Sequence, residues 1–344
     1  MSESHRRRPQ WSRMGLWLLS LITVAGLGLA TAPAQASPLR PPAPLDALAA
    51  VGQVGPTIVD IDTKLGYQSA VGAGTGIVIG PSTVLTNNHV VAGATDLTVR
   101  SIGNGQTFPA TVIGYDRSHD IAVLALGGGG LQPANIGNSD TVTVGAPIVS
   151  LGNAGGAGGA PSAVDGRVAA LNQTVSASDA LTGSTETLNG LIQVDAAIRP
   201  GDSGGPTVNA ANQVIGMNTA ASENFHLGRG QGFAIPINEA MAIAGQIQGG
   251  GSPTVHIGPT AFIGVGVNDA AGGAGAVIRQ VIPNGPAAGA GFAPGDVINS
   301  INGQPVNSAT ALTAILDQHH PGDNVQVGVA GRSASVTLAD GPPG

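Results

Sequence analysis

Short apolar runs separated by glycine, proline and asparagine dominate the chain from residue 57 onward. Runs of this length that are rich in valine and isoleucine predict β-strands rather than helices. We place strands over these segments: 57–63, 75–80, 97–101, 107–114, 121–126, 147–151, 164–171 and 191–194. Many short strands with turn residues between them indicate an all-β barrel or sandwich.

Three other stretches have a different pattern. Residues 237–248 and 309–318 carry apolar side chains at helical spacing, and Ser308 is a favourable N-cap for the second segment. Residues 172–189 are rich in Ser, Thr and Asp, and they predict a loop that is too long for a simple turn. We therefore expect two helices late in the chain and a long polar loop near its middle.

The first 36 residues have the layout of a secretory signal peptide. Four arginines precede an apolar run over 14–30, and small residues in an A-x-A pattern follow. We predict cleavage after Ala36, with Ala34 as the alternative site. The run of about 17 residues is at the short limit for a membrane span, which makes a retained anchor the less favoured interpretation. We expect a secreted or cell-envelope protein without stable membrane insertion and with a flexible Pro/Ala-rich lead-in over 37–50.

Composition argues against several classes of function. The net charge is −7, and residues 1–36 carry a net +3, so cleavage leaves a mature chain of −10. This charge argues against nucleic acid as a partner. The absence of cysteine excludes disulfides, thiolate zinc sites and cysteine nucleophiles. The adjacent pair His319-His320 suggests a metal site, but without Cys or patterned acids nearby we interpret it as a solvated helix end. We expect no metal and no cofactor.

The stretch from Arg199 to Pro206 has the composition of a nucleophile loop. Glycine on both sides of Ser203 allows a tight backbone that exposes the hydroxyl and leaves amide N–H groups uncovered. Such a loop can present a nucleophile beside two donors for an oxyanion. The alternative is an ordinary Gly/Ser turn in a chain with 55 glycines. The length of the string GDSGGP favours the nucleophile.

A base and an acid precede this serine in the chain. His89 follows a strand in TNNHVV, and Asp120 opens an apolar strand in SHDIAVL. A lone histidine is more often structural, and Asp120 alone could be a strand cap. A partly buried carboxylate nevertheless needs a donor, and a histidine N–H supplies one. The order His89, Asp120, Ser203 is that of the chymotrypsin-like proteases. We predict these three residues as a catalytic triad.

Five segments together resemble the HtrA/DegP family of secreted serine proteases, most closely its mycobacterial members: TNNHVV, SHDIAVL, IGNSDTVTVGAPIVSLGN, VDAAIRPGDSGGP and GQGFAIP. The resemblance implies an all-β, double six-stranded barrel (chymotrypsin-like) protease unit over 51–248, with the barrels at about 51–140 and 141–248. It also implies a linker over 249–256 and a small α+β PDZ domain over 257–340.

The resemblance implies roles for further residues of the protease unit. The backbone N–H groups of Gly201 and Ser203 would form the oxyanion hole. The substrate pocket would be lined by uncharged residues, which implies a preference for small to medium aliphatic side chains: Ile198, Asn218, Thr219 and Ala220. Asp202 stands where relatives commonly have asparagine, and we expect it to have a structural role.

The C-terminal segment Phe262-Ile263-Gly264-Val265 resembles the carboxylate-binding loop of PDZ domains, which implies binding of peptide C-termini. We expect part of the apolar stripe of residues 309–318 to face the peptide groove. The function implied is an exported serine endopeptidase of protein quality control, with protein or peptide substrates. The alternative is a chaperone-like or peptide-binding protein with latent or secondary proteolysis. Trimer and monomer both stay open, because residues 37–66 lack the aromatic residues that join the family's trimers.

Overall fold

The computed structural model describes residues 43–178, 185–219, 231–273, 275–329 and 331–343. All of the described residues belong to one compact unit. The predicted signal peptide lies outside the described residues. Among the helices of the described part, none has the length and apolar character needed to cross a membrane.

The first antiparallel sheet has seven strands, and six of them lie within residues 58–126: β1 Ile58–Leu65, β2 Ala70–Gly80, β3 Thr83–Thr86, β4 Asp96–Ser101, β5 Thr107–Asp116 and β6 Ile121–Leu126. Neighbouring strands follow the order β5-β4-β1-β2-β3-β6, and β5 also pairs with β6. Alternate side chains of these strands point inward, and the buried set includes Val59, Ile61, Val99 and Leu124. The five strands predicted between residues 57 and 126 correspond to β1, β2, β4, β5 and β6, and β3 is an additional strand.

The second sheet contains six strands: β7 Pro147–Gly152, β8 Ser162–Ser178, β9 Thr185–Val194, β10 Pro206–Val208, β11 Val214–Thr219 and β12 Gly232–Pro236. It closes into a barrel in the order β10-β11-β12-β9-β8-β7. The expectation of a long polar loop over 172–189 is wrong for most of its length. Thr174 pairs with Asn189 and Ser176 with Thr187 by side-chain hydrogen bonds of 2.9 Å, so polar residues join two strands there.

Three helices accompany the strands of the two sheets: α1 Ala47–Val54, α2 Asn88–Val91 and α3 Ile237–Gln248. The bounds of α3 match the sequence prediction, and its apolar face is buried in the core that joins both sheets. Helix α1 corrects the expectation of an extended lead-in up to residue 50. The carboxylate of Asp46 accepts hydrogen bonds from the N–H groups of Leu48 and Ala49, and this cap begins the helix at residue 47.

The C-terminal region contains short strands and two helices: β13 His256–Ile257, β14 Thr260–Phe262, β15 Val265–Asp269, β16 Ala276–Val281, α4 Pro286–Gly289, β17 Val297–Ile301, β18 Gln304–Pro305, α5 Ala309–Leu316, β19 Asn324–Val329, β20 Arg332–Thr337 and β21 Ala339–Gly341. The main sheet has the order β15-β16-β17-β19-β20. Ser308 caps α5 through Ala311 N–H, as predicted. Short 3-10 turns elsewhere cover Gly55–Thr57, Ser139–Thr141 and Ala154–Gly156.

The C-terminal region is fastened to the first sheet. Strand β13 pairs with β5, so the predicted linker ends in a hydrogen-bonded strand. Asp317 accepts hydrogen bonds from Tyr115 Oη at 2.8 Å and from Arg117 at 3.1 Å. Burial, together with the nearby Asp317 carboxylate, raises the pKa of Tyr115. On the other side, the rings of Tyr67 and Phe262 stack at 5.2 Å. These contacts hold the region at two places.

Candidate active site

His89 lies on a short helix that the sequence builds directly after a strand. Strand β3 ends at Thr86, and α2 begins two residues later. Val90 and Val91 are buried and anchor this helix in the first sheet. The imidazole side chain of His89 is 40% exposed, so it faces solvent rather than the core.

The His89 and Asp120 side chains form a close pair. His89 Nδ1 lies 2.8 Å from Asp120 Oδ2 and 3.0 Å from Oδ1, and the His89 backbone N–H donates to Oδ1 at 3.0 Å. The Asp120 carboxylate is 2% exposed, and Thr219 Oγ1 donates to its Oδ2 at 3.2 Å. Four contacts from three groups, the His89 ring, the His89 backbone N–H and the Thr219 hydroxyl, therefore fix this carboxylate. They also turn His89 Nδ1 toward it, which leaves Nε2 on the opposite side of the ring.

The Ser203 loop is joined to both sheets by backbone hydrogen bonds. Thr75 N–H in β2 donates to the Ser203 carbonyl at 2.8 Å, and Gly204 N–H donates to the Asn218 carbonyl at 2.9 Å. Asn218 precedes Thr219, whose hydroxyl contacts Asp120. Ser203 therefore lies at the seam where the His89–Asp120 pair is held. Gly204 has φ +81, and a Cβ there would lie 2.0 Å from the Thr75 carbonyl oxygen, so only glycine fits.

The Pro200–Gly201 peptide has a fixed orientation. Gly155 N–H donates to the Pro200 carbonyl at 2.8 Å. Because a trans peptide is planar, the Gly201 N–H points the other way, away from Gly155. Gly201 has φ +95, and a Cβ would lie 2.1 Å from the Asn153 carbonyl oxygen. The Gly/Ala-rich segment 153–156 therefore packs against this peptide and sets its direction.

Asp202 is buried beside Ser203, with 3% of its surface exposed. Ser162 Oγ donates to Asp202 Oδ1 at 2.7 Å, and Arg199 N–H donates to Oδ2 at 3.0 Å. Burial raises the pKa of the Asp202 carboxyl above its ordinary value of 3.8, and the hydrogen bonds from Ser162 and Arg199 partly offset this effect. The carboxylate ties the serine loop to strand β8.

The raised pKa of Asp202 predicts a pH-dependent stability. The folded state binds the Asp202 proton more tightly than the unfolded state. The contribution of Asp202 to the free energy of unfolding therefore decreases as pH rises from 3.8 through the raised pKa. Asp202→Asn removes this pH-dependent decrease. We expect the variant's unfolding free energy, relative to its parent, to be higher at pH 7 than at pH 4. Urea unfolding in a Ser203→Ala background measures it. An equal difference in the exposed control Asp140→Asn would contradict the prediction.

Two family models match the chain. One, described as a trypsin-like peptidase domain, matches residues 74–217, and the other, described as a PDZ domain, matches residues 261–338. The serine protease PepD of Mycobacterium tuberculosis is 36% identical over 301 residues, which cover 83% of this chain and 62% of that protein. The Do-like serine protease HtrA of Lactobacillus helveticus is 34% identical over 80% of this chain and 70% of its own length.

The chain belongs to the HtrA family of serine proteases. The solved structure of the HtrA-type protease AlgW with a tripeptide has a TM-score of 0.51 and 28% sequence identity to this chain, over 87% of this chain and 98% of AlgW. The chain spans 62% of the length of PepD and 55% of a DegP-like endoprotease of Pseudomonas savastanoi, which is 33% identical.

The residues expected to line the substrate pocket of this HtrA protein have different surroundings and different hydrogen-bond partners. Ile198 lies against Gly232, where a Cβ would be 2.6 Å from Ile198 Cδ1. The Asn218 side chain is fully buried, accepts a hydrogen bond from Thr207 Oγ1 and donates one to the Leu151 carbonyl. Thr219 turns its hydroxyl to Asp120. Ala220 lies outside the described residues. The assignment of these four to substrate binding stays a prediction.

The predicted carboxylate-binding loop joins β14 to β15. The carbonyl of Ile263 accepts a hydrogen bond from Ala287, and that of Gly264 accepts one from Ile282. Ile263 is 1% exposed and packs in the core of the C-terminal region, as do Leu312 and Ile315 of α5. Val265 begins β15, an edge strand of the main sheet. Phe262 pairs with Ala339 in β21.

The sequence does not reveal that Thr75 contacts the Ser203 loop or that the Thr219 hydroxyl contacts Asp120. Thr75 stands between Gly74 and Gly76, and a Cβ at those glycines would lie 2.5 Å from Val90 and 2.4 Å from Val84. Two glycines that flank a single polar residue in a buried strand were an available signal of close approach.

Among the described residues, no group of three potential metal ligands lies together.

Proposed function

We propose that this HtrA-family chain is an exported serine endopeptidase that hydrolyses peptide bonds through an acyl-enzyme on Ser203. The observation that carries the proposal is the pairing of His89 Nδ1 with the buried Asp120 carboxylate at 2.8 Å, beside the loop of Ser203. A histidine oriented by a carboxylate is the arrangement that activates a serine hydroxyl. The serine protease names of the relatives support the same activity.

The reaction follows from the roles of the three side chains. Ser203 Oγ attacks the substrate carbonyl, and His89 Nε2 accepts the hydroxyl proton as the bond forms. His89 then returns that proton to the leaving amine, and water repeats the sequence on the ester. Asp120 accepts a hydrogen bond from Nδ1–H of His89, so it selects the tautomer whose Nε2 can act as a base. It also stabilises the imidazolium that forms.

The negative charge on the substrate oxygen needs donors. The N–H groups of Gly201 and Ser203 supply them, and removing one such donor raises the barrier by about 3 kcal/mol. The hydrogen bond from Gly155 to the Pro200 carbonyl supports an oxyanion hole that is already oriented in the resting enzyme. Preorganised donors are effective because they do not have to reorient during the reaction.

The protease unit comprises residues 51–248 and has the two-barrel architecture of chymotrypsin-like enzymes. The pairing of β5 with β6 supports a closed first barrel, because it returns the sheet to β5. The second barrel contributes Ser203, and the first contributes His89 and Asp120. The packing of Ile198 against an apolar cluster of the second barrel supports small to medium aliphatic side chains at the cleavage site.

The C-terminal region, an α+β PDZ domain over about 257–340, binds peptide C-termini. Strand β15 lies at the edge of its sheet, next to the loop 262–265, and an extended peptide can add to such an edge by main-chain hydrogen bonds. Recognition of exposed chain ends suits a quality-control protease that acts on damaged or unfolded proteins. The periplasmic DegP of Salmonella typhimurium, 33% identical to this chain, supports a location outside the cytoplasm.

A fluorophosphonate probe tests the endopeptidase proposal, because it reacts with activated serines. We expect the probe to label the mature wild-type chain and to leave Ser203→Ala unlabelled. The same preparations are incubated with casein, and only the wild type is expected to produce new peptide ends. Ser118→Ala is the matched control, since Ser118 Oγ also contacts a histidine, His119, at 2.9 Å but lies outside the proposed triad. Equal labelling of wild type and Ser203→Ala would refute the proposal.

A further inference from the structure

We propose that Thr75 is a positioning residue that holds the Gly201–Ser203 segment from the first sheet in the geometry needed for catalysis. This inference rests on the proposed endopeptidase function, and it deepens it by naming the residue that sets the oxyanion loop. Thr75 is fully buried in the middle of β2 and belongs to the opposite half of the protease unit from Ser203.

The first part of the argument is the pair of hydrogen bonds from Thr75 to the catalytic loop. Its backbone N–H donates to the Ser203 carbonyl at 2.8 Å, and its Oγ1 donates to the Gly201 carbonyl at 2.7 Å. The two carbonyls flank Asp202 in the chain. One residue therefore fixes both ends of the three-residue segment whose N–H groups are proposed to bind the oxyanion.

The hydroxyl is fixed in turn by a third group. The N–H of Asn153 donates to Thr75 Oγ1 at 2.9 Å. A threonine hydroxyl has one proton to donate and lone pairs to accept with, so these two contacts set its rotation. Asn153 begins the segment whose Gly155 holds the Pro200 carbonyl. The Thr75 hydroxyl is thus the junction between the Gly201 loop and the segment that packs behind it.

The same residue also contacts the strand that leads to His89. Thr86 Oγ1 donates to the Thr75 carbonyl at 2.7 Å, and α2, which carries His89, begins two residues after Thr86. Thr75 therefore has hydrogen bonds toward both the base and the nucleophile. A shift of about 1 Å in their relative position is enough to slow catalysis by about 100-fold.

A variant series separates positioning from general stability. Thr75→Val keeps the shape and removes the hydroxyl, whereas Thr75→Ser keeps the hydroxyl. Thr57→Val is the matched control, because Thr57 is a buried threonine whose Oγ1 also donates to a carbonyl at 2.7 Å, that of Val54, far from the loop in sequence. Thr75→Val removes two buried hydrogen bonds of the hydroxyl and Thr57→Val removes one, so Tm is expected to decrease in both variants and more in Thr75→Val.

For wild type and each variant, kcat and KM are measured on a peptide substrate, together with the rate of fluorophosphonate labelling. We expect Thr75→Val to lower kcat about 10-fold to 100-fold, less than direct loss of an oxyanion donor, with KM changed less than about threefold. Thr75→Ser and Thr57→Val are expected to stay within about threefold of wild type. Where Thr75→Val does not fold, Thr75→Ala removes the same hydroxyl with less bulk.

Each contrary outcome has a distinct meaning. Unchanged kcat in Thr75→Val, or an equal loss in Thr57→Val, would overturn the positioning role while the endopeptidase proposal stands. A kcat in Thr75→Ser as low as in Thr75→Val would also overturn it, because the hydroxyl would then not be the group that matters. A wild type that the probe does not label would refute the endopeptidase proposal, and this inference with it.

Discussion

Asp120→Asn is expected to lower kcat about 10⁴-fold while the protein remains folded. His89 Nδ1 lies 3.0 and 2.8 Å from the two carboxylate oxygens, so an amide in that place can donate to Nδ1. His89 would then carry its proton on Nε2, where it cannot accept the proton of Ser203. The measurement is kcat on a peptide substrate, with thermal unfolding to verify that the variant is folded.

Asp116→Asn is the matched control for this prediction. Asp116 is a buried aspartate four residues away, and its Oδ2 lies 2.9 Å from His119 Nδ1, so it also forms an Asp–His pair. Its carboxylate further accepts hydrogen bonds from Ser118 and Thr254. We expect its kcat to stay within about tenfold of wild type. Equal losses in the two variants would show that the His89–Asp120 pair has no special role.

The sequence predicts the His89–Asp120 contact because a buried carboxylate at a strand start needs a donor, and the structure places the two side chains 2.8 Å apart. It does not predict the contacts of Thr75, whose partner Gly201 is 126 residues away. Periodicity and local propensity report on neighbours in the chain. A hydrogen bond between two sheets leaves no such pattern, apart from the glycines on either side of Thr75.

The prediction of a polar loop over 172–189 is wrong for a related reason. Strands are predicted from one apolar face, but β8 and β9 carry side-chain pairs such as Ser176 with Thr187. Polar residues flank the buried pair Val175 and Leu188 in this hairpin, so the apolar alternation that predicts a strand is too short to recognise. Strand β3 is missed because four residues are too few to show a period, although Val84 and Leu85 are fully buried.

Gly201→Ala is expected to lower kcat about 100-fold to 1000-fold and to destabilise the fold by about 2 to 4 kcal/mol. Part of the loss in stability comes from φ +95, which costs a non-glycine residue about 1 kcal/mol. The rest comes from the added methyl group, which would lie 2.1 Å from the Asn153 carbonyl oxygen and 2.9 Å from Gly155 N. Relief of that overlap must rotate the Pro200–Gly201 peptide, whose N–H is a proposed oxyanion donor.

Gly295→Ala separates the two causes. Gly295 has φ +97, and a Cβ there has nothing within 4 Å, so this variant carries the backbone strain without the overlap. We expect a loss of about 1 kcal/mol in its unfolding free energy and an unchanged kcat. Urea unfolding and peptide hydrolysis measure both variants. If Gly201→Ala lost no more stability than Gly295→Ala and kept its kcat, the packing of segment 153–156 would not set the direction of the Gly201 N–H. If it lost stability but kept its kcat, this N–H would not act as an oxyanion donor.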